Sequence, residues 1–144
     1  MKIRIVIDKT KDEEVLVYAH ERNELVNEIE KLVCQSATEI IGYKNNEAVK
    51  LSLHSVNCFI CEDGKTFALA KDKLQVKLRL YQVEDMLDEN FIKINQSCVA
   101  NIRQIEKVQA TLSGALFVVF KNGYRDYISR RNLKSVKERL GVKL

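Results

Sequence analysis

Short runs of alternating apolar and polar residues, each stopped by Asn, Gly or Asp, fill the sequence from Thr38 to Ile128 and limit what this chain can fold into. Alternation with a period of two sends successive side chains to opposite faces, so each run reads as a half-buried strand. Residues 39–43 and 48–53 flank the turn Lys44-Asn45-Asn46-Glu47. Residues 56–62 and 66–70 flank Asp63-Gly64-Lys65, a hairpin loop with its glycine placed for a positive φ. Further strands are expected at 74–77, 91–94, 98–100, 105–109, 116–121 and 124–128. The last two read as a hairpin closed by a two-residue type I′ turn at Asn122-Gly123. Proline is absent, which leaves turn formation to Gly, Asn and Asp. The expected fold class is mainly β with short helices (α+β).

Helical spacing interrupts the strands twice. Leu80, Val83 and Leu87 mark a short helix over 78–87. Leu133, Val136 and Leu140 stripe a closing helix, with Ser129 as its expected N-cap and Gly141 where a C′ residue belongs. The first 36 residues stand apart. Ile3, Ile5 and Ile7 predict one strand, residues 8–13 a charged turn, and residues 14–20 a second strand. Leu25, Val26, Ile29, Leu32 and Val33 then fall on one helical face. Strand, strand and helix at this length are too small to be stable alone, so the segment should pack on the rest of the chain or on a second copy. Gln35-Ser36 is the expected joint, dividing an N-terminal strand–strand–helix segment at 1–36 from a domain at 37–144.

Charge follows the same division. Residues 1–36 carry six Lys/Arg against eight Asp/Glu, a balance of −2, whereas residues 91–144 carry eleven against three, a balance of +8. A basic C-terminal third suits a polyanion, and a merely solvated face is the alternative. No apolar run approaches the roughly 20 residues of a membrane helix. The N-terminus lacks the apolar block of a secretion signal, so the chain is expected to be cytoplasmic.

The sequence offers little to an enzyme. His20 and His54 are the only histidines, and no nucleophile elbow, P-loop or dinucleotide fingerprint is present. Glu84-Asp85 and Asp88-Glu89 read as a solvated helix face and its exit. Of Cys34, Cys58, Cys61 and Cys98, only Cys58 and Cys61 have a useful spacing, and no second pair completes a zinc site. In a strand, residues three apart point to opposite faces, so buried apolar cysteine is the expectation. No catalysis, metal, cofactor or small-molecule substrate is expected.

Nucleic-acid chemistry has more behind it. Asn95-Gln96-Ser97 and Asn101 bring amides into one polar run, and Ser129-Arg130-Arg131 sits where a strand hands over to a helix. Arginines at a helix start run against the helix dipole, and a bound polyanion would supply the reason for them. Amide and guanidinium groups suit base edges and phosphates. Phe91, Phe117, Phe120, Tyr124 and Tyr127 are spaced as core residues, which argues against stacking on single strands. No helix-turn-helix or zinc-finger spacing is visible.

The order Phe91-Ile92-Lys93-Ile94-Asn95-Gln96-Ser97, then Val99-Ala100-Asn101-Ile102-Arg103-Gln104-Ile105, then Asn122-Gly123, then Ser129-Arg130-Arg131 with a short helix, resembles the LytTR (LytR/AgrA-type) DNA-binding domain family over about residues 38–144. The resemblance implies small antiparallel sheets whose loops enter successive major grooves of double-stranded DNA. It implies DNA contacts by Lys65, Lys93, Asn95, Gln96, Ser97, Asn101, Arg130 and Arg131, with Arg131 matching the base-reading arginine. Asn101 fits a structural cap equally well. Ala100 replaces the family's usual Val, and Gln96 stands where related members often carry Lys, which changes the expected target. Thirty-six residues cannot hold the family's usual receiver domain, so a stand-alone regulator is implied. It would bind promoter DNA as a homodimer on repeated half-sites, and such regulators are often held in check by a membrane-protein inhibitor. The alternative is a protein-interaction module that kept the fold and lost specific DNA binding.

Overall fold

The computed structural model describes residues 2–35 and 39–144, and the chain divides into two units, residues 1–37 and 38–144. Ser36, half of the expected joint, lies outside the described residues. In the larger unit, β1 (Ile41–Lys44) and β2 (Glu47–Lys50) form a hairpin across Asn45 and Asn46. Both asparagines have positive φ, 50° and 64°, as a two-residue type I′ turn requires. The strands β3 (Cys58–Glu62), β4 (Lys65–Leu69) and β5 (Lys73–Val76) follow, then α2 (Leu80–Met86), then β6 (Phe91–Asn95) and β7 (Cys98–Asn101). Together these strands make one antiparallel sheet in the order β2-β1-β5-β4-β3-β7-β6. A second sheet, β10-β9-β8, is built from β8 (Ile105–Ala110), β9 (Leu116–Phe120) and β10 (Arg125–Tyr127), and α3 (Leu133–Leu140) closes the chain.

The pleat sorts side chains to two cores. Cys58, Ile60, Ile92, Ile94, Cys98 and Ala100 on one face of the large sheet meet Leu116, Val118, Phe120 and Ile128 of the small sheet and Val136 of α3. Phe59, Ala68, Val76 and Val99 on the other face meet Leu80 and Val83 of α2. Burial on both faces explains why Cys58-Phe59-Ile60 reads as an unbroken apolar run. Cys58 is buried as expected, but Cys61 is exposed and is not the buried apolar cysteine expected: it lies near the end of β3, where burial gives way to exposure at Cys61 and Glu62. The Cys58 thiol beside Cys98, followed by burial and then Asp126, pushes the Cys98 thiol well above its usual range. Cys98 is therefore a neutral core residue.

Three local expectations change. The β9–β10 turn is not type I′: Asn122 lacks a positive φ, which belongs to Gly123 alone at 89°. The Gly123 N–H donates to the Phe120 carbonyl and the Phe120 N–H to the Tyr124 carbonyl, both at 2.9 Å, the pattern of a type I turn closed by a left-handed glycine. Ser129 does not cap α3 directly. A turn with Asn132 N–H bonded to the Ser129 carbonyl intervenes, and the helix begins at Leu133. Gly141 does end α3 in the left-handed region, with φ 67°. Tyr127 is 49% exposed and not a core residue.

Gly42 illustrates how closely the sheet is packed. A Cβ there would lie 2.8 Å from the Leu74 Cβ, an atom fixed to the β5 backbone. Gly42→Ala should therefore cost about 1–2 kcal/mol through forced backbone shifts. A urea midpoint equal to that of the parent chain would show that β1 can move away freely.

In the smaller unit, α1 (Glu24–Gln35) matches the expected helix, but residues 2–23 contain no strand. The turn is present, with the Lys11 N–H on the Asp8 carbonyl and the Thr10 N–H and hydroxyl on the Asp8 carboxylate. Those bonds hold Asp8 below its usual pKa. The flanking runs carry no ladder, because two short strands gain too little from pairing without a face to bury. Among the described residues, no helix is long and apolar enough to cross a membrane.

Candidate nucleic-acid interface

Three turns converge at one end of the large sheet. The first is the β3–β4 hairpin, where Asp63 (φ 51°) and Gly64 (φ 74°) form a two-residue turn between the partners Glu62 and Lys65. The Glu62 carboxylate pairs with Lys73 at 2.9 Å, which leaves Lys65 exposed with no ion-pair partner among the described residues. The second turn joins β6 to β7, with Asn95 opposite Cys98 and Gln96-Ser97 exposed at the tip. The third is Ser129-Arg130-Arg131, between β10 and α3, with both arginines exposed.

Specific bonds hold these turns together. The Cys61 N–H donates to the Ser97 carbonyl at 2.9 Å, tying the second turn to the base of the first. The register of β6 and β7 slips between Lys93 and Asn95, and a bulge of this kind frees a backbone group of Ile94 from the ladder. The Ile94 carbonyl accepts from the Ser129 N–H at 2.9 Å, so the third turn is anchored to the edge of β6.

Asn95 completes the junction. Its side chain is fully buried. The amide Nδ2 donates to the Tyr127 carbonyl at 2.8 Å and to Asp126 Oδ1 at 3.0 Å, while its Oδ1 accepts from the Ser97 N–H at 2.8 Å. Asp126 also accepts from the Tyr124 hydroxyl at 3.1 Å and from the Tyr127 N–H at 2.8 Å. Burial, and then the Asp126 carboxylate, push the Tyr124 hydroxyl well up, so it remains a donor at any ordinary pH. Asp126 was not singled out by the sequence. Its signal was faint: one acid in a short strand of a basic region.

The expected contact residues thus separate. Lys65, Gln96, Ser97, Arg130 and Arg131 lie on the converging turns, with Ser129 beneath them. Asn95 faces inward with both donor hydrogens spent, so burial removes it from the groups able to meet a base. Asn101 is 2% exposed and sits at the other end of β7. It accepts from the Arg103 N–H at 3.1 Å and donates to the Val56 carbonyl at 2.9 Å, the bonds of a structural cap. Lys93 lies on the α2 side of β6, 3.9 Å from the Glu84 carboxylate, and does not join the cluster.

Several cations elsewhere are occupied, although Lys71, Lys107, Lys121 and Lys134 are exposed as well, with no ion-pair partner among the described residues. Lys44 and Lys50 pair with carboxylates, Lys77 lies over Tyr43, and Arg125 lies over Phe117. The turns therefore collect positive charge that internal pairing has not consumed, together with an exposed amide. That combination can bind phosphates and read base edges.

Residues 46–141 match the model of the LytTr DNA-binding domain family. Chains of Staphylococcus aureus strains NCTC 8325 and MSSA476, described as uncharacterized HTH-type transcriptional regulators, are 30% identical over 146 residues, covering 99% of this chain and 99% of theirs. A solved LytTr DNA-binding domain, from a Bacillus cereus protein described as a methyl-accepting/DNA response regulator, superposes with a TM-score of 0.67 at 19% identity. That likeness covers 73% of this chain and 98% of the solved one. In the present fold five strands separate α2 from α3, so they do not form a helix-turn-helix.

Proposed function

Because this chain belongs to the LytTR DNA-binding domain family, we propose that it is a sequence-specific transcription regulator that reads promoter DNA through the three converging turns. Lys65 and Arg130 neutralise phosphates. Arg131 and Gln96 meet base edges, and the Ser97 hydroxyl bonds to the backbone or a base. Asn95 braces the turns, Asn101 caps the far end of β7, and neither touches DNA. Two copies occupy repeated half-sites, which doubles both the contacts and the length of sequence read.

The observation that carries this reading is the exposed state of Lys65, Arg130 and Arg131, with no ion-pair partner among the described residues, on turns fixed by hydrogen bonds. Fixing the backbone beforehand lowers the ordering cost of binding. The relatives' names as transcriptional regulators support the same reading.

Selection of bound duplexes from a randomised library tests it. The expected outcome is an enriched motif present twice at a constant spacing, protected from cleavage in both copies. Failure to enrich any sequence, with the fold intact, would favour an interaction module that kept this fold and lost specific DNA binding.

A further inference from the structure

One hairpin tip carries an apolar side chain that the fold leaves uncovered. Among the described residues of the larger unit, the exposed large apolar side chains are Val49, Tyr81, Leu112, Tyr127 and Leu144, and all but Leu112 are 41–60% exposed. Leu112, between β8 and β9, is 111% exposed. Covering a leucine is favourable, so one held clear of its own protein suits a partner. The tip is also closed on itself. The Thr111 N–H donates to the Ala115 carbonyl at 2.8 Å, the Gly114 N–H to the Thr111 carbonyl at 3.0 Å, and the Ala115 N–H to the Thr111 hydroxyl at 3.1 Å. A backbone fixed in this way leaves little ordering to do on binding.

Topology puts the tip beside the reading turns. β8 and β10 run the same way on either side of β9, with Ala110 opposite Leu116 and Tyr127 opposite Phe117. The Ile128 N–H extends that pairing to the Leu116 carbonyl at 2.9 Å, and the next residue, Ser129, opens the third turn. The tip and the third turn therefore leave the small sheet at the same end. From Lys107 to Arg125 the sequence has no Asp or Glu, and Glu106 lies at the other end of β8. Nothing at the tip repels a polyanion. A protein partner would want an apolar patch of several side chains, whereas Leu112 stands alone between Thr111 and Ser113. A single apolar residue on a fixed turn has the form of a wedge between bases.

We infer that Leu112 enters one base step of the bound duplex from the minor groove, partly unstacks it and kinks the DNA there. The residue then selects sequence without reading a base edge, because pyrimidine–purine steps unstack most readily. The inference rests on the proposed reading of promoter DNA.

The duplex enriched by library selection, with 2-aminopurine placed at successive steps in turn, tests it on the full-length chain. The parent chain should brighten the probe at one step of each half-site. Leu112→Ala should lose that signal, with an unchanged urea midpoint because the side chain is exposed. A mismatch at the same step costs less to unstack, so it should tighten binding by the parent chain and not by Leu112→Ala. Specific binding with every step left stacked, or equal unstacking by Leu112→Ala, would overturn the inference and leave the proposed function standing. A parent chain that enriches no duplex would remove both.

Discussion

Arg131→Ala is expected to weaken binding to the cognate site by roughly 1–3 kcal/mol and to relax the base preference at the position it reads. The size follows from what the guanidinium gives up: bidentate bonds to a base from a group that no carboxylate among the described residues holds back. The segment that leads to it is held by the Ser129 N–H on the Ile94 carbonyl and by Asn95 on the Tyr127 carbonyl, while its side chain stays exposed. Little ordering cost then offsets the contact. Arg130→Ala should act differently, lowering affinity for all duplexes alike and making the slope of log affinity against log salt shallower by about one. Titrating both variants against cognate and scrambled duplexes distinguishes the roles. Equal, sequence-blind losses from the two would remove Arg131 from base reading.

Asn95→Leu should destabilise the fold by about 1–3 kcal/mol, the cost of leaving hydrogen-bond partners at a part-buried junction unmade. The substitution strands the Ser97 N–H and the Tyr127 carbonyl and takes one donor from Asp126. Leucine fits the volume approximately and replaces none of these bonds. DNA affinity should fall as well, even under conditions where the chain remains folded, because two of the turns lose their shared anchor. Gln96→Ala is the control: its side chain is exposed, so stability should stay within about 0.5 kcal/mol while affinity drops. Urea unfolding of both variants, followed by DNA titration, gives the comparison. An Asn95→Leu chain as stable as its parent would mean that Asn95 does not brace the turns.

How much of this was legible in the sequence depended on the range of the forces involved. Period-two alternation is a local property, and it located the strands of the larger unit to within a few residues. It also separated Cys58 from Cys61 by face, but not the exposure of Cys61 near the end of β3. Gly141 ended α3 as expected, because a left-handed C′ residue is a local requirement. Turn chemistry was less secure. Asn122-Gly123 matched the composition of a type I′ turn, yet the extra residue needed at that corner produced a type I turn with Gly123 in the left-handed position.

The functional side chains show the same limit. Asn95 and Gln96 are adjacent amides, and no pattern along the chain tells which one turns inward. That choice is made by Asp126 and Tyr127, 31 and 32 residues away. Lys93 and Lys65 look alike in sequence, but Glu84 lies 3.9 Å from one, and Glu62, the cross-strand partner of the other, is held by Lys73. In the N-terminal unit the alternation at 2–7 and 14–20 signalled strands, yet residues 2–23 contain none. A ladder needs a partner, which sequence periodicity does not supply.

Fluorescence anisotropy of the full-length chain against the DNA upstream of its own gene, across a salt series, tests the central claim most directly. An unrelated duplex of equal length serves as the control. Tight binding to the upstream duplex, weak control binding and a slope of about −0.9 for each phosphate neutralised are the predicted result. Equal affinity for the two duplexes at every salt concentration would contradict it, reducing the three turns to a basic surface without sequence preference.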